Sequence, residues 1–226
     1  MQRGPWRSSQ RQEVSSSRSP RDGKRYRYTN PDESYVFMGF GKSLKKRSST
    51  DDFFPLNLVA LNQPHSGDMM GLDIADRMCY EQSKAMGLDP NYRAFISSHS
   101  QDLVHTVYPG LRETLPVTNL RGDVMFRNWR SIFNGDGGPM DARIPIYSFD
   151  GRDVLADPFW PQKSIWHGST SRGLRVVDKH CETWRADHVS VTGQSSSLTS
   201  GLLLGQQTRS CSNQYIVLCI ENNKNL

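Results

Sequence analysis

The chain has 226 residues, of which 35% are hydrophobic and 10% aromatic, enough apolar material for the core of one sizeable domain. The net charge of +5 is unevenly divided, because residues 1–50 hold 12 Lys/Arg against 4 Asp/Glu whereas residues 51–226 hold 16 against 19. No apolar run approaches the roughly 20 residues that span a bilayer, so the sequence predicts no membrane insertion.

The first 50 residues are rich in Arg, Ser, Gly and Lys, and we interpret them as a basic, mostly disordered tail or hinge before a globular domain at 51–226. The segment from Met1 to Trp6 lacks the apolar region of a signal peptide, so we expect a fragment if the mature protein is extracellular. The apolar patch 35–40 is either a docking segment or an isolated hydrophobic cluster in a linker.

A short basic run lies just before the expected domain. Lys45, Lys46 and Arg47 stand in a segment that we expect to be flexible, and they predict a site of proteolytic release. The alternative interpretation is a plain basic linker.

The hydrophobic pattern of the domain predicts one helix and several short strands. The helix covers 73–86, with Asp73 capping its start, Gly87 ending it, and Ile74, Met78, Cys79, Gln82, Ala85 and Met86 on one side. Strands are predicted at 56–62, 92–97, 116–120, 144–149 and 215–220, and one or two helical turns at 128–133. One clear helix among short strands and long loops indicates an α+β domain, and there is no Gly-X-Y repeat of a collagen triple helix.

Four cysteines form an even set: Cys79, Cys181, Cys211 and Cys219. No two of them have the two-residue gap of a zinc ribbon or a thioredoxin site, which favours disulfides in an oxidising compartment. The alternative is four buried free thiols. If they are disulfides, three pairings remain open at this point.

No pattern in the chain indicates an enzyme. The sequence Gly135–Pro139 lacks a nucleophilic serine, and His167 lies too close in sequence to Ser169 for the two to act as base and nucleophile. We predict no catalytic residue, no metal site, no cofactor and no nucleic-acid partner. His167 is expected to be a hydrogen-bonded structural residue. The tryptophans are expected in the core, the alternative being a binding face beside Arg130 or Arg185; they are Trp129, Trp160, Trp166 and Trp184.

The tripeptide Arg121-Gly122-Asp123 is of the integrin-binding type. Leu120 before it and the apolar residues 124–126 after it indicate the end of a strand. Functional adhesion and an ordinary turn both remain open.

Three stretches closely resemble the C-terminal endostatin domain of the type XV and XVIII collagens: 144–153 (IPIYSFDGRD), 160–169 (WPQKSIWHGS) and 181–185 (CETWR). The resemblance covers about 51–221, and Ile144-Pro-Ile-Tyr147 is more similar to the type XV version. It implies a compact C-type-lectin-like α+β fold without a calcium site, and two nested disulfides, Cys79–Cys219 and Cys181–Cys211. It further implies a secreted basement-membrane location, release from a longer collagen, a trimeric parent and a monomeric isolated domain.

The resemblance also implies heparan sulfate binding, although this chain departs from the pattern. The family carries arginines just before the helix, where residues 68–73 here contain none, so we expect weakened binding. The remaining glycan-binding candidates are Arg127, Arg130, Arg172, Arg175 and Arg185. Asn57 replaces a histidine of the family's zinc site, and asparagine is a poor zinc ligand.

These observations favour a non-enzymatic extracellular matrix module that binds matrix proteins, cell-surface receptors and, more weakly, heparan sulfate, with effects on angiogenesis and cell migration. One alternative is a lectin-like module with a defined glycan pocket. The other is a purely structural cap of a longer collagen.

Overall fold

The computed structural model describes residues 54–222 and the backbone of two short strands, β1 (Tyr35–Phe37) and β2 (Ser43–Lys45). These two strands pair antiparallel, with Val36 opposite Leu44. The prediction of a disordered tail otherwise lies outside the described residues. Of the predicted release site, the backbone of Lys45 is in β2, and Lys46 and Arg47 are outside the described part.

A five-stranded sheet forms the centre of the domain. Its order is β4-β10-β3-β5-β6, and its strands are β3 (Leu56–Ala60), β4 (Tyr92–Ala94), β5 (Val117–Thr118), β6 (Val124–Phe126) and β10 (Leu218–Glu221). The pairs are antiparallel except β3 with β5, which are parallel. The first and last strands of the domain therefore lie side by side.

A second, three-stranded sheet packs beside the first. It consists of β7 (Ser164–Trp166), β8 (Thr192–Ser197) and β9 (Gln207–Ser210), all antiparallel. The helices are α1 (Leu72–Ala85) and the four-residue α2 (Cys181–Trp184). Four 3₁₀ turns complete the structure: Leu103–His105, Pro109–Leu111, Arg130–Phe133 and Leu198–Ser200.

Both faces of the central sheet are covered, because β3 alternates between two hydrophobic clusters. Leu56, Leu58 and Ala60 belong to one cluster, and Val59 belongs to the other, on the side of α1. The four tryptophans expected in the core are all fully buried, which confirms that prediction. The α+β class with one main helix is confirmed as well.

Three details of the predicted elements were wrong. Gly71, not Asp73, is the N-cap of α1, and no side chain caps this end; Gly71 has φ +98°, a conformation that favours glycine. The buried row of α1 is Ala75, Cys79 and Ser83, whereas Ala85 is exposed. Residues 144–149 form only isolated bridges, because Tyr147 and Ser148 turn back toward Asp153 in a loop closed by side-chain hydrogen bonds.

Candidate functional site: two arginine surfaces and a turn

Two disulfides hold the loops that carry the candidate binding residues. Cys79–Cys219 joins α1 to the central strand β10, and Cys181–Cys211 joins α2 to the residue after β9. The second bond lies inside the loop that the first closes, so the two are nested. All four cysteines are fully buried.

Helix α2 is a single left-handed turn. Cys181, Glu182, Thr183 and Trp184 have φ between +48° and +62°, although none of them is glycine. This conformation costs about 1–2 kcal/mol for each residue. Tertiary contacts offset the cost: the disulfide anchors Cys181, and the indole N–H of Trp184 donates to the Ser97 carbonyl at 2.6 Å.

Arg185 leaves this turn beside the segment that precedes α1. The backbone N–H groups of Met69 and Gly71 donate to the Trp184 carbonyl. The backbones of Asp68 and Arg185 form an isolated antiparallel β-bridge. The Arg185 guanidinium covers Gly71 so closely that a Cβ there would lie 2.5 Å from Nη2. Arg185 is thus placed next to 68–73, where the chain has Asp68, an exposed Met70 and Asp73.

A different surface gathers several cations around two 3₁₀ turns. We call it the arginine face, and it comprises His105, Arg112, Arg130 and Arg172, with Arg127 close to Arg130 in sequence. Its centre is held by the backbone, because the Arg130 N–H donates to the Arg112 carbonyl at 3.0 Å. The Arg112 guanidinium donates to the carbonyls of Val107 and His105 at 2.7 and 3.2 Å. Partial burial, and then the charge of Arg130, lower the pKa of Arg112 from its usual value.

Arg172 reaches the same face from a distant part of the chain. Its guanidinium lies over Gly135, just past the end of the 3₁₀ turn Arg130–Phe133. The two are so close that a Cβ at position 135 would lie about 3.3 Å from the guanidinium. The neighbouring Gly173 packs against Phe133, and its carbonyl accepts the Val104 N–H at 3.1 Å. Arg127, Arg130 and Arg172 are all exposed.

Arg175, also a candidate, is engaged inside the domain. Its Nε and its backbone N–H both donate to Asp102 Oδ1 at 2.9 Å, and its Nη1 donates to the His99 carbonyl. Burial alone would raise the pKa of Asp102, but the hydrogen bonds and charge of Arg175 outweigh it and lower that pKa. This ion pair fixes the loop 172–175 against the 3₁₀ turn Leu103–His105.

The integrin-type tripeptide occupies the tight turn between β5 and β6. All three residues are exposed, and β6 begins directly after them. The Asp123 carboxylate accepts a hydrogen bond from the Asn119 side chain at 2.9 Å, and the Arg121 guanidinium lies 4.4 Å from the centre of the Tyr147 ring. Both side chains are held against the domain, and an integrin would have to detach them. The adhesion prediction stays a prediction.

His167 is a structural residue, as predicted. Its Nδ1 accepts the backbone N–H of Ser169 at 3.0 Å, whereas the Ser169 hydroxyl contacts Ser97, so histidine and serine do not form a base–nucleophile pair. Its Nε2 lies 3.1 Å from the Gly205 carbonyl, so the ring is neutral with the proton on Nε2. Complete burial lowers the pKa of His167 to about 4.

This depressed pKa predicts acid sensitivity. In the unfolded chain His167 gains its proton near pH 6.5, whereas in the folded domain it does so only near pH 4. We therefore expect the free energy of unfolding to fall by roughly 3 kcal/mol as the pH drops from about 6.5 to about 4. Urea unfolding across this range, compared with His167→Gln, measures the effect. An equally steep pH dependence in the variant would contradict the assignment to His167.

A cleft of about 450 Å³ lies between α1 and β4. Asp76, one of the carboxylates that line it, accepts the Ala94 N–H and pairs with Arg93, both at 2.8 Å. Burial raises the pKa of Asp76 despite these partners. The hydrogen-bonding capacity of Asp76 is thus used within the domain.

Asn57, at the position of the family's histidine, has become a hydrogen-bonding residue. Its N–H and side-chain amide donate to Glu221 at 3.2 and 2.7 Å. Burial, the largest influence, raises the pKa of Glu221. Within residues 54–222, no three or more His, Cys, Asp or Glu side chains come together as a metal site. In the same part of the chain, no helix has the length and apolar character needed to cross a bilayer.

Sequence reasoning missed two members of the arginine face, His105 and Arg112. In the sequence His105 stands between Val104 and Thr106, and Arg112 stands between Leu111 and Glu113, with no other Lys or Arg near either of them. Only the fold brings them next to Arg130, so spacing along the chain carried no signal for the cluster.

Comparison with known proteins identifies a family and a relative. Residues 56–225 match the Endostatin family model, described as Collagenase NC10 and Endostatin. The human collagen alpha-1(XVIII) chain is 51% identical over 172 residues, which are 76% of this chain and 10% of that collagen. The chain thus spans about a tenth of that relative. The expected closer similarity to type XV is not supported, since the matching collagen is of type XVIII.

Proposed function

Because the chain belongs to the endostatin family, whose fold it has and whose members are non-enzymatic modules, we propose that it acts by recognition in the extracellular matrix. It is the releasable C-terminal domain of a multiplexin collagen in basement membrane. It binds matrix proteins and cell-surface receptors, and thereby modulates the migration of endothelial cells and restrains angiogenesis. The observation that carries the proposal is the family match over 56–225.

The structure supports a rigid recognition module. Long loops that would otherwise be mobile are fixed by nested disulfides and by buried tryptophans whose indole groups bond to loop carbonyls. A preorganised surface binds with a smaller loss of conformational entropy. Release at Lys45–Arg47 and adhesion through Arg121–Asp123 are parts of the same proposal. The isolated domain is proposed to be monomeric, and the parent collagen trimeric.

The proposal is tested with the whole chain on a layer of reconstituted basement-membrane matrix, with and without heparan-sulfate lyase, and with and without a calcium chelator. We expect saturable binding that survives both treatments in large part, because protein contacts provide most of the affinity. The reduced and alkylated chain is the control and should not bind. Loss of binding with chelator would support the lectin-like alternative, and no binding above the control would support a purely structural cap.

A further inference from the structure

We propose that Asn134 is a site of spontaneous deamidation, in which the amide nitrogen of Gly135 is the nucleophile and Arg172 promotes the reaction and then pairs with the new carboxylate. Asn134-Gly135 is the one Asn-Gly dipeptide of the sequence. Because glycine has no side chain to hinder its own backbone nitrogen, that nitrogen can approach the side-chain amide of the preceding residue closely. Such a change goes beyond recognition, since it alters the covalent structure of the domain.

The reaction consumes water and releases ammonia. The Gly135 nitrogen attacks Cγ of the Asn134 side chain and closes a five-membered succinimide ring, while the bond from Cγ to the side-chain nitrogen breaks. Ammonia leaves with the proton that the Gly135 nitrogen gives up. Water then opens the ring, and the glycine nitrogen regains a proton from it. Opening at Cγ leaves aspartate at position 134, whereas opening at the main-chain carbonyl leaves isoaspartate, whose backbone runs through the side chain.

The reacting groups are accessible and weakly held. Asn134 and Gly135 are both exposed. Among the described residues, the Gly135 N–H has no hydrogen-bond acceptor. The Asn134 Oδ1 accepts the Asp136 N–H at 3.2 Å, and a long, exposed bond of this kind is easily released. The side chain can then meet the Gly135 nitrogen after rotation about ψ of Asn134, which is now −4°.

An acidic residue before another glycine, Asp150-Gly151, shows the contacts that protect such a site. The Gly151 N–H donates to the Ser148 carbonyl at 2.8 Å, so this nitrogen is engaged. The Asp150 carboxylate accepts hydrogen bonds from the Ser148 hydroxyl and the Arg152 guanidinium. Ring closure at Asp150 would have to break all of these contacts, so we expect this residue to stay unchanged.

Arg172 places a positive charge beside the reacting nitrogen. Its guanidinium is the group nearest to a Cβ built on Gly135, at 3.3 Å, so it lies within about 6 Å of the Gly135 nitrogen. The attacking nitrogen must lose its proton, and the tetrahedral intermediate carries negative charge on oxygen, so a nearby cation favours both steps. Among the described residues, Arg172 makes no ion pair, and its charge is therefore available to the product carboxylate.

The backbone on both sides of the site is anchored, so the change stays local. Phe133, which precedes the site, is buried in the core. After the site, the Gly138 carbonyl accepts the Leu203 N–H at 2.9 Å. Deamidation thus converts an exposed loop from neutral to negative at position 134 in a domain that remains folded.

The first experiment incubates the whole chain at neutral pH and follows its tryptic peptide 131–143, in which Asn134 has the one amide side chain. Mass spectrometry detects the change from amide to acid, and a methyltransferase specific for isoaspartate detects the rearranged product. We expect the folded chain to react no more than about tenfold more slowly than the same chain reduced, alkylated and unfolded, because one exposed hydrogen bond must be released. Asn134→Gln, which would need a six-membered ring, should not react. Conversion in the unfolded chain alone would overturn the proposed site.

The second experiment tests the part of Arg172. Arg172→Gln should slow the conversion of the folded chain about threefold, the size of effect that one exposed charge provides, and Arg172→Lys should restore most of the rate. The matched control is Arg127→Gln, an exposed arginine in another segment, which should react like the wild type. In the unfolded chain all variants should react alike, because Arg172 is then not held over Gly135. Equal rates for folded wild type and Arg172→Gln would overturn the role of Arg172.

The pairing of the product with Arg172 has a readout of its own. Asn134→Asp carries the product carboxylate from the start, and a phenylglyoxal reagent modifies guanidinium groups that are not paired. We expect Arg172 to react more slowly in Asn134→Asp than in the wild type, while Arg143, which is 88% exposed and pairs with Asp141, reacts equally in both. Unchanged reactivity of Arg172 would overturn the proposed ion pair.

Discussion

Replacing Cys79 and Cys219 together by alanine is expected to lower the free energy of unfolding by about 5 kcal/mol. The bond closes a loop of 140 residues, and chain-entropy arguments give a stabilisation of this size for such a loop. It also joins α1 to β10, where Cys219 lies opposite both Val59 and Ala94 at the centre of the sheet. Because domains are stable by only about 5–15 kcal/mol, the variant should be largely unfolded well below the wild-type Tm.

Guanidinium unfolding at 25 °C measures this loss, and the control is the paired substitution Cys181→Ala with Cys211→Ala. The inner loop of 30 residues would contribute about 4 kcal/mol by the same argument. Removing the Cys181–Cys211 bond should lower the free energy of unfolding by less than about 4 kcal/mol, since the left-handed turn at Cys181 can then relax. A larger loss for the inner pair than for the outer pair would contradict this account.

Trp184→Ala is expected to cost about 3–5 kcal/mol of stability, the range for deleting a buried aromatic side chain. The Trp184 side chain is fully buried, packs edge-to-face on Trp166 at 6.1 Å, and donates to the Ser97 carbonyl. It is also the last residue of the left-handed turn, so its packing holds four residues in a costly conformation.

Trp184→Phe separates packing from hydrogen bonding. It keeps an aromatic ring and leaves the Ser97 carbonyl without its partner, which should cost about 1–3 kcal/mol. Thermal and denaturant unfolding of both variants provide the comparison. If alanine proved no worse than phenylalanine, the indole would not be an anchor of the turn.

The sequence predicted best where a local pattern decides the structure. Helix α1 follows the 3.6-residue period, and strand β3 is a short, mostly apolar run that is buried on both faces of the sheet. The start of α1 was assigned wrongly to Asp73, since the chain at 69–71 is shaped by hydrogen bonds to Trp184, more than a hundred residues later. Tertiary contacts there outweighed the local capping preference.

Helix α2 and the arginine face were beyond prediction from residues alone, for two different reasons. Cys-Glu-Thr-Trp has no glycine, and a left-handed turn of such residues exists only because the disulfide and the core impose it. The arginine face depends on the hydrogen bond between Arg130 and Arg112 and on the position of Arg172 over Gly135, and the separations of these residues in sequence carry no period. Neither feature has a signature within a short window of the chain.

The adjacency of β3 and β10 has a mechanical consequence. Both ends of the described domain, Phe54 and Asn222, emerge at the same end of the sheet, since β3 begins where β10 finishes. A pulling force applied to those ends would not act on the segment between Cys79 and Cys219, because the disulfide transmits the force directly from one cysteine to the other. Only the residues before Cys79 and after Cys219, about 30 in the described domain, could be pulled into an extended chain, which would add about 100 Å of length. Most of the recognition surface would stay folded under tension.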